Sequence, residues 1–193
     1  MSRQRTPTIA LALALCAIAG CQTNTQGTPS SESTTTGVTG SLPSRPESLP
    51  LDGQDPCALL TSDHRESLGV GRGRPGTAIE GPGCNWSHFP DEPRDSYFVQ
   101  LVTGRGAEYA LASTTGARVV DTEGFAAVET QRDRSYPVEH HCVLLVDVAD
   151  GQNLWVQYDY DGSTVPMSRE LACEKARNAA GMAVQTLRAQ AGG

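Results

Sequence analysis

The chain has 193 residues, of which 15 are basic and 22 acidic, so its formal net charge is −7. Without the first 20 residues, which contain two Arg and no acidic residue, the charge becomes −9. This acidic excess argues against nucleic acid and anionic lipid surfaces as electrostatic partners.

The first 20 residues have the pattern of a bacterial export signal. Arg3 and Arg5 precede an apolar run, 9–19, which is shorter than the roughly 20 apolar residues of a membrane-spanning helix. The sequence Ile18-Ala19-Gly20-Cys21 resembles the bacterial lipobox, whose Cys carries a diacylglyceryl group. We therefore expect cleavage after residue 20, lipidation of Cys21 and attachment to the extracytoplasmic face of the cell membrane. The alternative is an ordinary signal peptide in which Cys21 is incidental.

Residues 21–54 have the composition of a tether. Ser, Thr, Gly, Pro and Gln dominate this segment, and it contains scarcely an apolar residue before Leu49 and Leu51. Such a segment buries too little apolar surface to offset its conformational entropy. We expect a disordered tether over 21–54 and a single domain over 55–193.

The domain is predicted to begin with a helix and a loop. Asp55 is a suitable N-cap, Pro56 suits the first helical position and Gly69 is a C-terminal stop, so 56–68 is predicted as helix with a possible second cap at Thr61. Residues 71–83 are rich in Gly and Pro and are predicted as a loop.

Five segments in the middle of the domain have the pattern of strands: 97–103, 119–120, 125–128, 142–149 and 152–160. Asp150-Gly151 predicts a two-residue hairpin turn of the primed type between the last two. The register that follows places Val146 opposite Trp155 and Leu144 opposite Gln157. Both faces of this hairpin are apolar, which predicts a central strand pair covered on both sides.

The last element is predicted to be an amphipathic helix. Ser168 is its cap, and Ala and Leu recur at helical spacing until Gly192-Gly193. The fold class is therefore α+β: an antiparallel sheet of five to six strands with an N-terminal helix, a long C-terminal helix and two disulfides.

Four cysteines remain once Cys16 leaves with the signal peptide and Cys21 takes the lipid. An even number in an exported domain predicts two disulfides, and the wide spacings argue against a zinc site. Three pairings are open. Cys57 and Cys173 each lie in the first turn of a predicted terminal helix, and Cys84 and Cys142 each begin a strand, so we favour Cys57 with Cys173 and Cys84 with Cys142.

Several motifs carry a family resemblance. They are Asp55-Pro56-Cys57-Ala58-Leu59-Leu60-Thr61, Gly83-Cys84-Asn85-Trp86, Gly104-Arg105-Gly106, Gly124 to Ala127, Cys142-Val143-Leu144-Leu145 and Ala172-Cys173-Glu174. In this order they resemble the actinobacterial secreted lipoproteins grouped as domain of unknown function 3558. The resemblance implies export, one domain and two disulfides, and it supplies no activity.

The sequence contains few residue patterns that indicate a catalytic, cofactor or metal site. Residues 71–76 match G-x-G-x-x-G, but a predicted helix precedes the match and Pro75 interrupts it, so we do not expect a dinucleotide site. His140 and His141 are adjacent and would point to opposite faces of a strand. Metal binding by either would need acidic residues, His64 or His88 nearby. Trp86 and Trp155 are expected in the core.

These observations predict a protein that is not an enzyme and has no cofactor and no metal. Its expected partners are the membrane, through the lipid on Cys21, and an envelope protein, a cell-wall component or a small ligand. No G-x-S-x-G motif and no spare thiol is present in the domain. The alternative is an extracellular hydrolase with an unrecognised active site.

Overall fold

The computed structural model describes residues 41–78, 80–88, 94–130, 141–161 and 167–192. They belong to a compact unit that spans Val38–Gly193. The signal peptide, Cys21 and residues 22–40 of the expected tether lie outside the described residues, as does His140. Among the helices that the structure describes, none has the length and apolar character needed to cross a membrane.

Within the described residues, one antiparallel sheet of seven strands forms the body of the domain. In chain order the strands are β1 (Arg74–Ala78), β2 (Gly81–Ser87), β3 (Arg94–Val102), β4 (Arg118–Thr122), β5 (Phe125–Thr130), β6 (His141–Ala149) and β7 (Gln152–Asp161). Their order across the sheet is β1-β2-β3-β7-β6-β5-β4, so the predicted hairpin β6–β7 lies near the centre.

The helices are α1 (Ser62–Leu68), α2 (Glu108–Ser113) and α3 (Arg169–Ala191). Helix α3 begins at the predicted cap, where the Ser168 hydroxyl accepts a hydrogen bond from the Leu171 amide at 3.2 Å. The buried stripe on α3 contains Ala172, Cys173, Ala176, Ala179, Ala180, Gly181, Ala183, Val184 and Leu187. These small side chains let α3 approach the sheet closely, as the spacing predicted.

The predicted helix over 56–68 is divided in two. Asp55 caps a short 3₁₀ helix, Pro56–Ala58, and Thr61 then caps α1. The Thr61 hydroxyl accepts from the His64 amide at 3.3 Å, while His64 Nδ1 accepts from the Thr61 amide at 3.4 Å. The first backbone amides of a helix have no carbonyl partner within that helix. The side chain of Thr61 supplies such a partner, so a new helix can begin there. Gly69 ends α1 with a φ of 66°.

The prediction of five or six strands was too low because residues 71–83 are not simply a loop. They contain β1 and the beginning of β2. Pro75 is compatible with β1 because β1 is the edge strand, where a residue without an amide donor is tolerated. Pro82 precedes Gly83, where the pairing of β2 with β3 starts. Helix α2 was also not predicted.

The predicted β6–β7 register was wrong by one residue. Ala149 pairs with Gln152 around the expected two-residue turn, but a bulge between Asp147 and Ala149 inserts Val148 as an extra residue. Beyond the bulge, Val146 therefore lies opposite Leu154 and not opposite Trp155. A shift of one residue moves a side chain to the other face of a sheet. The turn is also not of the primed type, because Gly151 has a positive φ and Asp150 does not.

The residues before position 55 are not all tether. Leu49 and Leu51 are buried in the main core, and the Leu49 amide donates to the Val148 carbonyl at 2.8 Å. The bulge leaves Val148 out of the ladder between β6 and β7, which makes its carbonyl available to this segment. The ordered domain thus includes residues that we had expected to be disordered, because two leucines and one backbone hydrogen bond attach them to it.

The two expected disulfides are present, but the favoured pairing was wrong. The bonds join Cys57 to Cys84 and Cys142 to Cys173. Cys84 on β2 and Cys142 on β6 are separated by β3 and β7, so their strands lie about 14 Å apart at ~4.8 Å per strand. A disulfide needs Cα atoms within about 7 Å. Cys142 instead meets Cys173 on α3, with Cα atoms 5.0 Å apart.

We expect the double substitution Cys142→Ala with Cys173→Ala to lower the free energy of unfolding by about 3.5 kcal/mol, because the bridge closes a loop of 31 residues. Guanidinium titration of the oxidised protein measures this loss. Cys57→Ala with Cys84→Ala, whose loop has 27 residues, should have a similar effect. A peptide map that links Cys57 to Cys173 would contradict the pairing.

Candidate functional site

The two faces of the sheet are covered differently. Helix α3 packs on one face over a large core that includes Cys142, Leu144, Val146, Leu154, Val156 and Tyr158. The other face carries a smaller cluster in which Ala107 and Ala110 pack on Val128, Val143 and Leu145, with Trp155 partly buried beside them. The helix that covers this second face is α2, which has six residues. The central hairpin is thus covered on both sides, as predicted.

Glu129 is the most enclosed charged group on the α3 face. Its side chain is fully buried and meets three guanidinium groups, those of Arg118 and Arg177 at 2.7 Å and that of Arg169 at 3.4 Å. Arg118 lies directly opposite Glu129 in the β4–β5 ladder. Arg169 and Arg177 are on one side of α3, two turns apart. A buried carboxylate held by three cations is expected to anchor the end of α3 to the sheet.

Glu129 also lies beside the second disulfide. Its carboxylate and the sulfur atoms of Cys142 and Cys173 are within 4.8 Å of one another, a spacing that would suit a metal ion. The two sulfurs are bonded to each other, however, so neither is a thiolate that can bind a metal. This group therefore acts as a structural support and not as a metal site.

A second polar cluster joins β3, β7 and α3. The Tyr158 hydroxyl donates to Asp95 at 2.5 Å, and Lys175 Nζ lies 3.2 Å from the other carboxylate oxygen. Burial, reinforced by Asp95, raises the pKa of Tyr158, and the same two causes raise the pKa of Tyr97. The two tyrosine rings are 5.2 Å apart. Both phenols therefore stay protonated at neutral pH, and neither is a ready base.

The N-terminal segment forms a polar cleft with the β6–β7 turn. Arg45 donates two hydrogen bonds to Asp147, at 2.7 and 2.8 Å, and a third to Asp150. The cleft has a volume of about 590 Å³. Burial raises the pKa of Asp147 although Arg45 acts in the opposite direction, and the nearby Glu108 and Asp150 add to the rise. The described lining of the cleft is therefore mainly acidic. Its cation is Arg45, which belongs to the N-terminal segment.

A smaller and more enclosed pocket lies between α2 and the second face of the sheet. We call it the α2 pocket. Its volume is about 200 Å³. It is lined by Glu80, Arg105, Gly106, Tyr109, Ala110, Ser113, Thr114, Thr130, Leu145, Asn153 and Trp155. Tyr109 is 52% exposed and Trp155 is half-buried, so both aromatic side chains keep accessible surface.

Asn153 is the most buried polar residue of the α2 pocket, at 1% exposure. Its Nδ2 donates to the Arg105 carbonyl at 2.8 Å, which joins β7 to the loop before α2. Within the part of the chain that the structure describes, its Oδ1 accepts no hydrogen bond. A buried amide oxygen without a donor costs about 1–3 kcal/mol, and this oxygen is enclosed by the protein itself, so Asn153 contributes to the pocket as a wall residue that its Nδ2 hydrogen bond holds in place.

Arg105 forms the rim of the α2 pocket. Its guanidinium is paired with Glu80 and lies 4.3 Å from the centre of the Tyr109 ring. The stacked cation restrains the ring, and the ion pair leaves this part of the rim without net charge. The arrangement combines aromatic and apolar surface with an ion pair and a few hydroxyl groups, which is the composition of a binding pocket.

The histidines are not brought together. His64 caps α1, His88 is exposed after β2 and His141 is half-buried at the start of β6. As far as the described residues extend, none of them lines the α2 pocket or the Arg45 cleft. The G-x-G-x-x-G match at 71–76 leads into β1 and not into a helix, as expected from Pro75.

Sequence reasoning missed the α2 pocket. Trp86 is in the core as expected, with no exposed surface, but Trp155 contributes to the pocket wall. The lining residues come from separate strands, turns and α2, so no spacing in the sequence relates them. The Gly104-Arg105-Gly106 motif was one available signal, and its arginine forms the rim.

Comparisons with known proteins place the chain in a family without assigning it an activity. The family model described as protein of unknown function (DUF3558) matches residues 16–186, so the chain belongs to this family. No curated protein matches the chain. No solved structure matches it either.

We expect Glu129→Gln to lower the free energy of unfolding by about 3 kcal/mol, because it leaves three guanidinium groups around an uncharged amide. Urea titration at neutral pH measures the loss. The matched control is Glu170→Gln, which removes an exposed carboxylate from the first turn of α3 and should change stability by no more than about 0.5 kcal/mol. Equal midpoints for the two variants would contradict a supporting role for Glu129.

Proposed function

We propose that this member of the DUF3558 family is a lipid-anchored protein on the extracytoplasmic face of the cell membrane, and that its domain binds a small ligand in the α2 pocket without catalysing a reaction. The observation that carries the binding role is the enclosed α2 pocket, in which two aromatic side chains keep accessible surface beside the ion pair of Arg105 and Glu80. Tyr109 and Trp155 supply this aromatic surface.

The N-terminal sequence supports anchoring. Two arginines, a short apolar run and the sequence Ile18-Ala19-Gly20-Cys21 form an export signal of the lipoprotein type. The family match begins at residue 16 and therefore includes Cys21. A lipid on Cys21 would hold the domain at the membrane surface, near envelope molecules, and raise their effective concentration at the pocket.

The chemistry of the α2 pocket favours binding over hydrolysis. Its aliphatic hydroxyl groups belong to Ser113, Thr114 and Thr130, and its acidic residue, Glu80, is paired with Arg105. A hydroxyl nucleophile needs an adjacent base to activate it. The Glu80 carboxylate is bound to the Arg105 guanidinium, so the described lining offers recognition groups rather than a catalytic set.

We expect Cys21→Ala to remove the protein from the membrane fraction or to leave it as an unprocessed precursor, because the lipid-bearing thiol is lost. Detergent phase partition of cell extracts, with mass spectrometry of the N-terminal peptide, makes the measurement. Cys16→Ala is the matched control, since Cys16 lies in the apolar run that is removed. A processed Cys21→Ala protein that stays in the membrane fraction would refute the anchor.

We expect the full-length protein, purified in detergent, to bind small uncharged single-ring molecules at the α2 pocket and to show no turnover. In NMR spectra, a library of such fragments should shift the indole N–H resonance of Trp155 and leave that of Trp86 in place, because Trp86 is fully buried in the core. Panels of ester, peptide, glycan and phosphate substrates should be inert.

Two results would overturn this proposal. If no fragment shifts the Trp155 resonance, the α2 pocket is not a binding site. If a substrate is hydrolysed and replacement of His64, His88, His140 or His141 abolishes the turnover, the protein is a hydrolase.

A further inference from the structure

We infer that the ligand of the α2 pocket is an uncharged saccharide ring, an inference that rests on the proposed binding function. The volume of the pocket, about 200 Å³, sets the first limit. Pockets for drug-sized ligands have volumes of about 300–1,000 Å³. The α2 pocket therefore suits one small ring, such as a single sugar unit of a longer chain, and excludes a dinucleotide or an acyl chain.

The charges around the pocket favour a neutral ligand. Glu80 and Arg105, the charged side chains of the described lining, form an ion pair with each other. A charged ligand would have to compete with one member of this pair and leave the other without its partner, which is costly for partly buried groups. An uncharged polar molecule can hydrogen-bond to the pair without separating it.

The polar groups of the pocket require a ligand that both donates and accepts hydrogen bonds. The Glu80 carboxylate can only accept, whereas the Arg105 guanidinium can only donate. Thr114 and Thr130 add hydroxyl groups that can do either, and the Ser113 hydroxyl, which donates to the Tyr109 carbonyl at 2.8 Å, can still accept. Sugar hydroxyls have the same dual capacity and are distributed around a ring, so one ligand can satisfy acceptors and donors on different walls.

The aromatic residues supply the remaining complementarity. Tyr109 is 52% exposed, and the Arg105 guanidinium 4.3 Å from its ring centre restrains it. Trp155 adds a half-buried indole, and Leu145 adds apolar surface. The C–H groups of a sugar ring form apolar patches between its hydroxyls, and such patches pack on large amphipathic aromatic side chains.

The test is a titration of the full-length protein in detergent with uncharged sugars, namely glucose, galactose, mannose, arabinose and N-acetylglucosamine. Each sugar is added up to about 10 mM, a concentration at which binding with a millimolar dissociation constant is detected. Glucuronic acid and glucosamine are the charged comparisons. The readout is the indole N–H resonance of Trp155, assigned by its loss in Trp155→Phe. We expect at least one uncharged sugar to give a saturable shift and neither charged sugar to do so.

Matched variants assign that shift to the pocket. Tyr109→Ala removes an exposed ring and should weaken sugar binding at least tenfold, whereas Tyr109→Phe, which keeps the ring, should stay within about threefold of the parent protein. Leu171→Ala removes an exposed apolar side chain from α3 and should leave binding unchanged.

The outcomes separate this inference from the proposed function. If uncharged fragments shift the Trp155 resonance and no uncharged sugar does, the saccharide inference fails and the binding function stands. If only the charged sugars bind, the inference also fails. If neither fragments nor sugars bind, both are overturned. Sugar binding that is equal in Tyr109→Ala and in the parent protein would place the sugar outside the α2 pocket and refute the inference.

Discussion

The burial of both faces of the β6–β7 hairpin is the constraint on which the rest of the structure depends. Leu144, Val146, Leu154 and Val156 face α3, and Val143 and Leu145 face α2. A strand pair that is apolar on both sides is stable only if another element covers each face. The long C-terminal helix meets this requirement on one side, and the short α2 with its flanking loops meets it on the other. The α2 pocket lies on the side of the sheet that the six-residue helix α2 covers.

Local signals in the sequence predicted local structure well. The caps at Asp55, Thr61 and Ser168 and the stop at Gly69 are as expected, because each depends on hydrogen bonds within a few residues. The hairpin position was also correct. Its register was not, because the pattern of apolar residues does not indicate the bulge at Val148, whose carbonyl accepts from the Leu49 amide almost a hundred positions away.

The disulfides and the pocket show why long-range arrangement was harder to predict. The wrong pairing came from treating the two helices as neighbours and the two strands as neighbours, whereas the sheet order separates β2 from β6 by two strands. The same limit applies to the α2 pocket, since Glu80, Tyr109 and Asn153 come from a turn, a helix and a strand. Sequence spacing carries information on such a site only after the strand order is known.

Helix α3 is attached to the sheet more strongly than helix α2 is, and this difference determines on which side of the sheet a ligand can enter. Helix α3 is fixed by the Cys142–Cys173 bond, by the ion pairs of Glu129 and by a stripe of small buried side chains. Helix α2 has six residues, lacks a side-chain cap at Ala107 and is held through Ala107, Ala110 and the hydrogen bond from Asn153 to the Arg105 carbonyl. Elements with few buried contacts open at a lower free-energy cost than the core. The α2 side of the sheet is therefore the side that can adjust around a ligand, while the α3 side maintains the fold.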